Sequence, residues 1–213
     1  ERQILELTNG GQDVDAILNV HPFHTVYART MHERFPGARL YGTARHLSRF
    51  AELPWESERT EDPALHAKYA GDFDFTVPNG VDFISADDNV HFSSVLAYHR
   101  ASETLYSDDT LMYLRLPQLA RFFGLGDSVS FHPTLAKALE RRPGAAKDFR
   151  DWADELIKNW GAAKNLCAAH TAPLLAEKNR GESIRERLQA ALRRTEKTLA
   201  THEQKWGQSQ GSE

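Results

Sequence analysis

This sequence predicts an α/β fold with a mixed sheet, on three observations. Apolar runs of strand length alternate with helix-period segments over residues 2–53, two turn-separated strand pairs follow, and the last third is dominated by helix patterns. The first helix is read over 2–8, closed by Asn9-Gly10-Gly11, residues suited to a left-handed cap. Val14 to Val20 is β-branched and apolar, a strand that stops at His21-Pro22. A helix from Thr25 to Phe35 would place Tyr27, Met31 and Phe35 on one buried face. Pro36-Gly37 ends it, Ala38 to Tyr41 reads as the next strand, and Arg45 to Leu53 as the next helix. Strand–helix–strand order predicts a parallel pair with a crossover.

The polar stretch 54–71 reads as a long surface loop. Phe73–Val77 and Val81–Ile84 flank Pro78-Asn79-Gly80 as a hairpin, and Phe92–Tyr98 and Glu103–Tyr106 flank Arg100-Ala101-Ser102 as another. Antiparallel pairs beside a parallel one make the sheet mixed. After Pro143, the residues Phe149, Trp152, Leu156, Ile157 and Trp160 form an apolar stripe that ends at Gly161. Asn165–Ala169 is a short strand leading into His170. Ser183 and Glu186 form a capping box for a final helix with Ile184, Leu188, Leu192 and Leu199 on one face. Arg185, Arg187, Arg193 and Arg194 fall on its other faces and read as solvated surface. One domain over 1–206 is expected, with a flexible tail over 207–213.

Composition narrows the function classes. A net charge of −4 over 213 residues gives no electrostatic reason for a nucleic-acid or anionic-membrane partner. No apolar run approaches the ~18 residues of a membrane span. Cys167 is the only cysteine, so neither an internal disulfide nor a thiolate-rich zinc site is available, and a cytoplasmic setting is the simplest expectation. The chain opens on Glu1 without an initiator methionine, so a removed leading segment is expected.

Ten histidines make the chain imidazole-rich, and several stand beside strand ends. His21 closes the first strand, and His24 opens the next helix. His91 precedes the Phe92 strand, Asp108-Asp109 follow Tyr106, and His170 follows Ala169. Loops converge at strand ends while the sheet holds them rigid, so α/β proteins build sites there. Neutral imidazoles with carboxylates form a ligand set suited to zinc, iron or manganese, and an ion so bound brings the pKa of water towards 7. His32, His46, His66, His99, His132 and His202 lack that placement and read as surface or supporting residues, His46 being the one expected nearest the site.

The order of these features resembles the metallo-β-lactamase superfamily. Its first motif, H-x-H-x-D-H at a strand end, is matched by the segment AILNVHPFHTVYARTMHERFPGARLYGT. Its third metal histidine matches His91 in NVHFSSVLAYH, its bridging aspartate Asp109 in LYSDDTLMYL, and its last histidine His170 in LCAAHTAPL. The resemblance covers roughly residues 1–175. It implies an αββα sandwich, mixed sheets with outer helices, lacking the leading strand hairpins because the chain is trimmed or is a shortened variant. It also departs from the motif, since His21-Pro22-Phe23-His24 carries no aspartate and the usual two-metal centre is incomplete. His21, His91 and Asp109, with His24 or His170, would then hold one divalent ion, with Asp108 as an outside candidate for the missing carboxylate. The resemblance implies a hydrolase directing metal-bound hydroxide at an ester, amide, thioester or phosphoester small molecule, with Asp109 holding the metal and orienting the water. Tyr113 and Arg115 are candidates for substrate contact. The alternative is a catalytically silent binding or assembly module without metal. A third reading, redox chemistry at iron, is disfavoured by the missing acid.

Overall fold

The computed structural model describes residues 2–116, 126–179 and 181–207. The chain divides into two compact units, residues 1–69 and 70–213. The tail expected over 207–213 lies, from 208 onward, outside the described residues.

In the first unit, β1 (Ala16–Leu18) and β2 (Arg39–Tyr41) pair in parallel, with Ile17 opposite Leu40. The Ala28–Arg34 helix makes the crossover. Ile17, Phe35, Ala38, Leu40 and Leu53 form the core, with Met31, Phe50 and Trp55 packed against it. Tyr27 is not on the buried face: the helix begins one residue later, and Tyr27 is 72% exposed. The expected loop over 54–71 contains a helix, Pro63–Lys68, that starts on its proline and sinks Leu65 into the interior. Six residues with one apolar anchor are too short to display a helical period.

Two histidines of this unit tie its stability to pH. Thr43 donates its amide (3.3 Å) to Nδ1 of the fully buried His46. That puts the ring proton on Nε2, which donates to the His24 carbonyl at 3.3 Å. Protonating Nδ1 would set N–H against N–H, and burial holds this imidazole below its ordinary value of 6.5. Burial also lowers His66, whose Nε2 donates to the Thr60 carbonyl at 2.9 Å. Below pH 6.5 the unfolded chain takes up protons that the folded unit refuses. Stability is therefore full above that pH and falls on acidification, by at most about 1.4 kcal/mol per pH unit per histidine. Urea midpoints measured from pH 7.5 to 5 should decline below 6.5, less steeply in His46→Gln; parallel slopes in the two proteins would remove His46 from the account.

In the second unit, a four-stranded mixed sheet runs in the order β3 (Phe73–Thr76), β4 (Leu96–His99), β5 (Thr104–Ser107), β8 (Asn165–Ala168). β3–β4 and β4–β5 are antiparallel, while β5–β8 is parallel. A separate antiparallel pair joins β6 (Leu111–Leu114) to β7 (Ser128–Phe131). The Ala145–Trp160 and Ile184–Trp206 helices pack on each other, and the latter also on β7. Their apolar faces close a core with Leu96, Leu105, Leu111, Val129 and Leu166. The helix stripe is as expected, Gly161 ends it, and the Ser183–Glu186 capping box is present. No helix among the described residues is long and apolar enough to cross a membrane.

Two expectations fail here. Val81–Ile84 does not return on β3; that place belongs to β4, and Val81 makes only a bridge to Leu139. Gly80 explains the diversion. At φ +72° its backbone presses on the Ala145–Trp160 helix, where an added Cβ would lie 2.0 Å from the Ala145 carbonyl oxygen. Arg187 is not a solvated residue but is 6% exposed, with its guanidinium on the carbonyls of Asp127 (2.7 Å) and Glu182 (3.1 Å). Its long side chain ties the segment before β7 to the segment before the last helix, contacts that the apolar pattern does not reveal.

Candidate metal centre

Parallel pairing of β5 and β8 creates the centre. Their register sets Ser107 opposite Ala168, so both strands end at one edge, and the next residues are Asp108-Asp109 on one side and Ala169-His170 on the other. The Ala169 amide donates to the Ser107 carbonyl at 2.9 Å and extends the ladder past the strand ends. Nε2 of His170 lies 3.6 Å from Oδ1 of Asp108 and 3.7 Å from Oδ1 of Asp109. Ligand atoms of these three residues fall within 4.8 Å of one another.

Buried hydroxyls hold the acidic turn. Ser107 Oγ donates to the Asp108 carbonyl and accepts from the Leu111 amide, both at 3.1 Å. Thr110 Oγ1 donates to the Phe92 carbonyl at 2.9 Å and accepts from the Ser94 amide at 3.1 Å. With its proton so used, Thr110 Oγ1 receives the Ser94 hydroxyl proton at 3.0 Å. Ser94, Ser107 and Thr110 are fully buried. Thr110→Val should leave the Ser94 amide and the Phe92 carbonyl without this partner and cost about 1–3 kcal/mol. Thermal unfolding checks this, and an unchanged midpoint would show that the network does not brace the turn.

Asp108 and Asp109 are buried while the His170 side chain is 60% exposed. His170 sits at φ +63°, a left-handed conformation that a residue with a Cβ adopts at a cost of about 1–3 kcal/mol. Its neighbour Thr171 fixes that bend, with Oγ1 accepting from the Tyr113 amide at 3.2 Å. Burial raises the Tyr106 hydroxyl to about 12, with the Asp108 carboxylate, Cys167 and Asp109 adding to the rise.

No family model, no curated protein and no solved structure matches this chain. What it can do is therefore argued from its own residues. The donor set fits a divalent cation. Two ligand atoms about 2.0–2.2 Å from one ion can stand no more than about 4.4 Å apart, and the 3.6 and 3.7 Å separations lie within that span. Two carboxylates also supply the negative charge that an imidazole alone lacks.

Asp109 and His170 are thus brought together as expected, and Asp108, an outside candidate, stands beside them. The Nε2–H of His91 donates to the Asp88 carbonyl at 2.7 Å, which leaves Nδ1 as the lone-pair nitrogen of the neutral ring. His21 and His24 belong to the first unit, where their rings stack at 4.0 Å and His21 Nδ1 accepts the Phe23 amide at 3.1 Å. Tyr113 is a core residue whose hydroxyl donates to Asp127 at 2.8 Å, and Arg115 is exposed.

One histidine expected only at the surface or in a supporting place stands beside the acidic turn. His132 follows β7, and its backbone amide donates to the Thr110 carbonyl at 3.3 Å. Its Nδ1 lies 2.7 Å from Thr134 Oγ1, which donates to the His91 carbonyl at 3.1 Å. Burial lowers the His132 imidazole, while Asp109 raises it and His91 and His170 lower it further. The available signal was its place after Ser128-Val129-Ser130-Phe131, a short run that alternates polar with apolar as a half-buried strand does.

Proposed function

We propose that Asp108, Asp109 and His170 hold one divalent metal ion, zinc first among the choices, and that the protein is a metal-dependent hydrolase. The supporting observation is the convergence of three ligand groups on one strand edge, two of them on a turn braced by buried hydroxyls. His91, expected as a ligand, stays in the proposal through Nδ1, although the group of mutually close ligand atoms does not include it. Its Nε2–H rests on a backbone carbonyl, the outer-nitrogen arrangement usual for metal-ligating imidazoles. A bound divalent ion supplies Lewis acidity, which lowers the pKa of water and polarises a carbonyl or phosphoryl oxygen.

The chain's own groups do the rest. Asp109 accepts a proton of the attacking water and so orients it, while exposed His170 stands where a substrate enters from solvent. Small esters, amides, thioesters and phosphoesters are the substrate classes. In this reading residues 1–206 form a divergent metallo-β-lactamase-like domain of the αββα type. A second reading, a binding or assembly module without turnover, is favoured by the missing aspartate in His21-Pro22-Phe23-His24.

The test is metal content by mass spectrometry of protein purified without chelators, followed by assay of ester and phosphoester substrates. About one equivalent with turnover lost on chelation supports the hydrolase. Metal without turnover keeps the centre and overturns the hydrolase. No metal after reconstitution overturns both the centre and the hydrolase and favours the module.

A further inference from the structure

The half-buried ring of His132 stands beside the acidic turn with one nitrogen fixed and the other open. Its backbone amide, on the Thr110 carbonyl at 3.3 Å, carries the β6–β7 pairing one step past Leu111 and Phe131, up to the residue after Asp109. Thr134 Oγ1 has a single proton, which goes to the His91 carbonyl at 3.1 Å. The 2.7 Å contact between Thr134 Oγ1 and His132 Nδ1 is then a donation from the ring, so the neutral imidazole has its proton on Nδ1. The Thr134 amide also faces Nδ1, at 3.3 Å, and favours the opposite tautomer, but the two shorter contacts outweigh it. Nε2 therefore presents a lone pair, and among the described residues it makes no hydrogen bond. The Asp109 carboxylate attracts a positive charge on this ring while His91 and His170 repel one, so the groups of the centre lie within electrostatic reach of it.

We propose that His132 is the general acid–base residue of this centre, taking a proton from the attacking water and returning it to the leaving group. The inference rests on the hydrolase reading. In that reading His91 and His170 give their lone pairs to the ion, so Nε2 of His132 is the imidazole nitrogen left to accept a proton. One O–H of the water rests on Asp109, and the other gives its proton to Nε2 as the water oxygen bonds to the carbonyl carbon or the phosphorus. The imidazolium then passes that proton to the departing oxygen, nitrogen or sulfur as its bond to carbon or phosphorus breaks. Atoms and charge balance, and nothing is oxidised. Thr134 Oγ1, accepting from Nδ1–H, fixes the ring's orientation and tautomer and stabilises the cation while it lasts.

The first test is nitrogen–proton correlation NMR of the histidine rings in the whole, zinc-free protein at neutral pH, assigned by comparison with His132→Gln. The His132 proton should be found on Nδ1; a proton on Nε2 overturns the proposal. The zinc-loaded parent and His132→Gln are then compared on ethyl acetate and on para-nitrophenyl acetate. The variant should keep the parent's zinc content and lose at least about 100-fold in kcat on the ethyl ester, the lower end of what general acid–base catalysis contributes. The loss on the nitrophenyl ester should be much smaller, because that leaving group departs without a proton, whereas a merely structural defect would slow both esters alike. Equal losses on the two esters, or zinc lost from the variant, overturn the role of His132 and leave the hydrolase standing. A parent that binds no zinc or hydrolyses neither ester fails the hydrolase reading, and the role falls with it.

Discussion

With Asp109 in the proposed ligand set, Asp109→Asn should abolish metal retention. The substitution keeps size and hydrogen-bonding reach but removes the negative charge that a divalent ion needs. Loss of an outer-shell partner alone typically costs 10–100-fold in metal affinity, so loss of a direct ligand should cost at least about 100-fold. His170→Ala should do likewise by removing the nitrogen that lies 3.6 and 3.7 Å from the two carboxylates. Because the His170 side chain is largely exposed, its alanine variant should keep the fold, although alanine also carries a Cβ and does not relieve the left-handed backbone. Zinc content by mass spectrometry and competition against a chromophoric chelator measure the loss, with circular dichroism as the fold control. Unchanged metal content in Asp109→Asn would remove this residue from the ligand set.

Much of this centre was legible because strand ends announce themselves. Tyr106 and Ala169 sit at the ends of short apolar runs, so the polar residues after them could be placed at strand ends, but the parallel pairing that sets those ends side by side is a long-range contact that no local pattern announces. Side-chain direction is what the sequence does not carry. His91 was expected just before a strand, but β4 begins only at Leu96; its Nε2 is spent on the Asp88 carbonyl, and no spacing rule says which nitrogen a ring presents. His132 was set aside for another reason: its strand, β7, is only four residues long, although serine alternating with Val129 and Phe131 is a half-buried strand pattern.

The fold shows the same division. Long periodic segments such as Phe149–Trp160 and Ile184–Leu199 were readable because burial of a whole face repeats every turn. Pairing of β3 was misread because a turn motif, Pro78-Asn79-Gly80, outweighed a distant partner. Gly80 serves a close approach to a helix rather than a hairpin. Local turn chemistry fixes φ, but long-range packing decides where the chain goes next.

Trp152→Ala should be the most destabilising single change in the second unit, at about 3–5 kcal/mol. The indole is 5% exposed and packs on Phe149 at 5.4 Å and Phe131 at 6.2 Å between ring centroids. Truncation empties that volume, and no neighbouring chain end is free to fill it, since Phe131 lies within β7 and Phe149 within the helix. It also deprives Thr76 Oγ1 of the indole N–H, on the strand at the sheet's edge. At an m-value of about 1–3 kcal/mol/M the urea midpoint should fall by at least about 1 M. Trp152→Phe separates the two contributions: it keeps a ring against Phe149 and Phe131 but loses the hydrogen bond, and should cost about 1 kcal/mol from that bond with a smaller term for volume. If both variants lost the same amount, the hydrogen bond to the edge strand rather than ring packing would be what holds the helix to the sheet. An unchanged midpoint in Trp152→Ala would mean that the stripe is not core at all.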